Sequence, residues 1–88
     1  MDDIVKARRQ RLIYRSSYTG MKETDLLLGN FARRYVPEFT LEQLDRYAEL
    51  LDKHSDQELF AWMTGGEVPP RAAKNDVSDL LCRFRISD

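Results

Sequence analysis

Two short segments place helix starts by themselves: Thr40-Leu41-Glu42-Gln43 and Ser55-Asp56-Gln57-Glu58. In each, a hydroxyl residue at the cap position accepts from the backbone amide three residues on, and the Gln or Glu there returns a bond to the cap's own amide. Such boxes fix where a helix begins and so which residues share its faces. Behind the first, Leu41, Leu44, Tyr47, Ala48 and Leu51 fall on one stripe of helical period, with Phe39 and Leu44 flanking the box as a hydrophobic staple. Behind the second, Leu59, Phe60, Trp62 and Met63 form a short helix that Gly65 closes as a left-handed cap.

The rest of the chain extends the same pattern. From Asp3 to about Arg15, Ile4, Val5, Ala7, Leu12 and Ile13 make a loose apolar stripe, while Lys6, Arg8, Arg9, Arg11 and Arg15 cover the remaining faces. Ser16-Ser17-Tyr18-Thr19-Gly20 breaks this helix, because serine and glycine favour caps and turns. A second helix runs to about Tyr35 on Leu27, Leu28, Phe31, Ala32 and Tyr35, and Pro37 ends it by disfavouring helical geometry in the residue before. Gly65-Gly66-Glu67-Val68-Pro69-Pro70 reads as an extended connection. It sets a core of about residues 3–65 apart from a loosely packed last helix, about 76–84, with Val77, Leu80, Leu81 and Phe84 at helical spacing. No segment alternates as a strand does, so the expected fold is all-α, a small five-helix bundle forming a single domain over 1–88.

Composition narrows the function. Eighty-eight residues, 42% hydrophobic and 33% charged, suit one soluble globular domain, and a formal charge of −1 argues against a generally basic nucleic-acid binder. No apolar stretch is long enough to cross a bilayer, and the opening Asp2-Asp3 does not read as a targeting segment, so the first helix is taken as part of the domain. The single cysteine, Cys82, forms no internal disulfide and is expected as a small hydrophobe in a reducing compartment. The single histidine, His54, is expected exposed at a helix end; with so few soft ligands a zinc site lacks support, and no nucleophile has a base and an orienting group beside it. An enzyme is therefore not expected, nor a metal. The basic first helix is expected to be a solvated face; its alternative use is in a small regulatory module, antitoxin-like or nucleic-acid-associated.

What remains is a surface. Glu23 and Asp25 open the second helix, where the helix dipole favours carboxylates and capping alone accounts for them. Gly20 precedes them with no side chain to block close approach, and Arg15, Tyr18 and Lys22 add residue types common at interfaces. The stretch from Tyr18 to Asp25 thus reads as a protruding docking corner.

These residues resemble the succinate dehydrogenase assembly factor family, the flavinylation factors called SdhE in bacteria, whose signature is Arg-Gly-x-x-Glu at the start of the second helix. The match here is Gly20-Met21-Lys22-Glu23 followed by Asp25, with Arg11-Leu12-Ile13-Tyr14-Arg15 before it. Leu27-Leu28-Gly29 to Phe31, Leu50-Leu51-Asp52, Asp56 and Trp62 continue it. One position departs: the family arginine is Thr19, which lacks a charged, forked donor, so weaker binding or substitution by Arg15 or another nearby base is expected. The resemblance implies a monomeric assembly factor that binds the flavoprotein subunit of succinate dehydrogenase, and of the related fumarate reductase, and promotes covalent attachment of FAD to a histidine of that subunit. It implies no stably bound cofactor, and a home in the bacterial cytoplasm or, in a eukaryote, the mitochondrial matrix. Gly20 and Glu23 are then docking residues, Thr19 stands in the altered place, and Asp25, Tyr14 and Arg15 are neighbours. Phe31, Leu44, Leu51, Leu59 and Trp62 are assigned to the core.

Overall fold

The structure, a computed structural model, describes residues 2–84, and within them every regular element is a helix. The five α-helices are α1 (Asp2–Ser17), α2 (Lys22–Tyr35), α3 (Leu41–Lys53), α4 (Asp56–Thr64) and α5 (Asp76–Arg83), with 3-10 turns at Val36–Glu38 and Arg71–Ala73. The all-α, five-helix expectation holds.

Helix α1 runs past the expected break at Ser16. Both serines stay helical because their hydroxyls donate to carbonyls one turn back, Ser16 to Leu12 at 2.7 Å and Ser17 to Ile13 at 3.0 Å. Ser16 is fully buried and also bonds the Tyr47 hydroxyl, and burial pushes the pKa of that phenol well above its ordinary value. The apolar stripe is thinner than expected: Leu12 is buried, Val5 and Ile13 pack at the core's edge, and Ile4 is exposed.

What fastens α1 is largely its arginines. Arg8 meets Asp45 and Arg15 meets Asp52, each at 2.6 Å, and each pair's members recur after about two helical turns, so one face of α1 lies along one face of α3. Arg15 also donates to the Leu51 carbonyl at 2.9 Å, and Arg9 to the Phe39 carbonyl at 2.8 Å. The expectation of a solvated basic face is corrected here, because three of its four arginines hold the protein's own backbone and carboxylates.

Both capping boxes close. Gln43 N donates to Thr40 Oγ1 at 3.2 Å and Thr40 N to Gln43 Oε1 at 2.9 Å, while Ser55 and Glu58 exchange the same two bonds at 3.1 and 2.9 Å. Gly65 caps α4 with φ of 82°. On α3, Leu44, Tyr47, Leu50 and Leu51 face inward, but Leu41, expected on that stripe, is exposed. As the first residue of the helix it lies beyond the edge of the core. His54 also departs from expectation: its side chain is only 17% exposed, set edge-on to Trp62 with centroids 4.7 Å apart and Nδ1 3.5 Å from Glu58.

The core centres on Phe31, whose ring meets those of Tyr35, Phe39, Tyr47 and Phe84. Helix α5 is no loosely packed appendage, since Val77, Leu81 and Phe84 are buried in this same core and Cys82 packs at its edge. The glycine-proline connection folds back instead of extending away, with Pro69 and Ala73 buried beneath it. Asp76 at the head of α5 accepts from Gln43 at 3.1 Å and pairs with Arg46 at 3.1 Å, which together hold its carboxyl below the ordinary range. A third box, Asn75 with Ser78, starts the helix; its second member is Ser rather than Glu or Gln, which conceals it from the usual pattern.

Candidate partner-binding corner

The turn between α1 and α2 is built around two residues. Gly20 has φ of 106°, in the region that favours glycine, and an added Cβ would meet nothing within 4 Å, so the demand is for backbone freedom rather than space. Thr19 then closes the turn: its amide and its hydroxyl both donate to Asp25 Oδ1, the hydroxyl at 2.6 Å. Met21, the cap residue of α2, offers no side-chain bond to the helix's free amides, so this reach-back from the first turn of the helix ties the loop down. The Thr19 hydroxyl, then the Thr19 and Gly20 amides, hold the Asp25 carboxyl below its ordinary value. Thr19 and Asp25 are thus each other's partners.

Glu23, on the first turn of α2, is exposed and has no ion-pair partner among the described residues. It lines an open groove of about 640 Å³ with Ser17, Tyr18, Lys22, Asp25, Leu26 and Arg33. Tyr18 and Leu26, both exposed, give the groove apolar surface beside its charges. Tyr14 stacks on Tyr18 one turn earlier, ring centroids 4.6 Å apart, and extends the aromatic surface onto α1.

Of the residues expected at the site, the structure gathers Glu23, Asp25, Gly20 and Thr19 into one turn and links Tyr14 through Tyr18. Arg15 lies outside the lining, engaged with Asp52 and the Leu51 carbonyl. Leu26 and Arg33 are additions. Leu26 reads in the sequence as one more member of an apolar run, yet Lys22, Leu26 and Arg33 recur at intervals of four and seven along α2, one face by helical geometry. Arg33 Nη1 donates to Ser17 Oγ at 3.1 Å, and Gly29 makes room for it: a Cβ there would stand 3.0 Å from Ser17 Oγ and 3.3 Å from Arg33 Nη1.

Among the described residues no group of three or more His, Cys, Asp or Glu side chains could hold a metal, and no helix is long and apolar enough to cross a membrane. Fold and corner define a small helical domain that presents a braced turn, an open carboxylate and exposed aromatic surface.

Comparison with known proteins gives that class its family. Residues 10–85 match the family model described as the flavinator of succinate dehydrogenase, and the chain belongs to that family. It is 37% identical over 81 residues to succinate dehydrogenase assembly factor 2-B, mitochondrial, of Drosophila mojavensis, covering 91% of this chain and 52% of that protein. It is 40% identical over 80 residues to succinate dehydrogenase assembly factor 2, mitochondrial, of Lodderomyces elongisporus, covering 90% and 48%. The protein of the same name in Yarrowia lipolytica is 39% identical over 80 residues, covering 86% and 54%. The chain thus spans about half the length of these curated relatives.

Proposed function

We propose that this domain is a succinate dehydrogenase assembly factor that docks its α1–α2 corner on the flavoprotein subunit of that enzyme, or of the related fumarate reductase, and promotes covalent attachment of FAD to a histidine of that subunit. The observation that carries the reading is Glu23, an exposed carboxylate with no ion-pair partner among the described residues, on a turn braced by Thr19 and Asp25 inside the family match. A buried carboxylate would be a structural group; an exposed one on a preorganised turn is available to a partner.

The domain acts without a reagent of its own. Binding one conformation of the client shifts its population toward that conformation, and a conformation that holds the acceptor histidine against the flavin raises the rate of bond formation by proximity alone. FAD is then handled through the client and is not held by this chain in isolation. The domain works as a monomer, in the mitochondrial matrix if the source is eukaryotic, a reading that the word mitochondrial in its relatives' names supports, and in the cytoplasm if bacterial.

The test is co-expression of the client subunit with the wild-type chain, with Glu23→Ala, or alone, followed by in-gel flavin fluorescence after denaturation. The wild-type chain is expected to raise labelling, and Glu23→Ala to remove most of that gain. Equal labelling in all three samples sinks the proposal.

A further inference from the structure

We propose that Arg33 provides the cationic contact of the docking corner and receives a carboxylate-bearing segment of the client protein; this rests on the client-binding reading above. Other nearby groups are already engaged. Thr19 spends both its donors on Asp25, and Arg15 is tied to Asp52 and the Leu51 carbonyl of α3 and does not line the groove. In the groove itself stand two cations, Lys22 and Arg33, and one open carboxylate, Glu23, since Asp25 is satisfied within the turn. None of these three charges has an ion-pair partner among the described residues. The four charges of the lining cancel in number, Lys22 and Arg33 against Glu23 and Asp25, but the Asp25 carboxylate is bonded within the turn while the Arg33 guanidinium has no ion-pair partner among the described residues, so beside the apolar surfaces of Tyr18 and Leu26 it suits a client carboxylate with an apolar neighbour.

Between the two cations, geometry selects Arg33. Lys22 is the first residue of α2, where the helix dipole disfavours a cation, and its ammonium is a point charge on a flexible stem. The Arg33 head is held by a single bond to Ser17 Oγ, across the gap that Gly29 leaves open, so most of its five donors remain for a carboxylate in forked geometry. Its neighbour Arg34 has the same charge on the same helix but does not line the groove, and lies over the Tyr35 ring at 5.4 Å. Arg34 is a built-in control.

The experiment titrates the purified flavoprotein subunit with the full chain at low ionic strength and reads Kd. Arg33→Glu is expected to weaken binding about tenfold or more, and Arg34→Glu less than about twofold. Arg33→Gln, which keeps the stem, is expected to weaken binding less than Arg33→Glu and to flatten its salt dependence, and circular dichroism melts confirm that each variant folds. Thr19→Arg added to Arg33→Glu is expected to restore most of the affinity, because it places a fork on the same corner. Equal losses from Arg33→Glu and Arg34→Glu overturn the inference, as does an unchanged Kd for Arg33→Glu. If Glu23→Ala weakens binding while Arg33→Glu does not, Arg33 falls and the client reading stands; if the wild-type chain does not bind, both fall.

Discussion

Thr19 shows how far a residue's meaning depends on its partner. Judged against an external carboxylate it is a poor replacement for arginine, but here it faces inward and donates twice to Asp25 Oδ1. Nothing in the sequence ranks that internal partner, six positions on, above an external one, which is why the corner was legible and its wiring was not. Thr19→Val removes the hydroxyl and keeps the amide, so the Asp25 carboxyl is expected to move up toward its ordinary value of about 4, as a carbon-detected NMR titration would register. An unmoved titration would show that the hydroxyl bond is absent in solution. Arg15 teaches the converse. A basic residue beside the signature looked available, and Asp52, distant in sequence, had already taken it.

Among the elements, helix starts were the most legible feature, because a capping box is written in four consecutive residues. The third box, Asn75 to Ser78, uses the same geometry with a shorter second member, and Asn75→Ala is expected to cost about 1 kcal/mol in urea denaturation. A loss below a few tenths would mean that the box contributes little. The carboxylates that serve helix starts also set the acid response. Asp25 is lowered chiefly by Thr19, Glu58 by the Ser55 amide and then His54, and Asp76 by Gln43 and then Arg46. Each binds its proton less readily folded than unfolded, so the stability it gives is whole above the ordinary carboxylate pKa of about 4 and drains as pH falls through the lower folded value. Urea midpoints are therefore expected to drop below about pH 4, and to drop less steeply in Asp76→Asn. An unchanged slope in that variant would remove Asp76 from the account.

At the scale of the whole molecule, the sequence suggested a core followed by an extra helix, and the fold has one core that includes it. Breaker residues report that a helix ends; they do not report where the chain goes next, which is decided by tertiary burial of Val77, Leu81 and Phe84 around Phe31. Phe84→Ala is expected to destabilise by about 3 kcal/mol or more, a large share of the stability of so small a domain, whereas an appendage would lose almost nothing. With α5 and the arginine-fastened α1 both locked to α3, the α1–α2 turn stands on a fixed frame, which is what the proposed docking role asks of it. The most direct test of this is isothermal titration of the purified flavoprotein subunit with wild-type chain and with Glu23→Gln. Removal of this exposed charge from the first turn of α2 should lower the melting temperature by no more than a few degrees and weaken binding by about tenfold or more. Equal affinities for the two proteins would contradict the docking role of the corner.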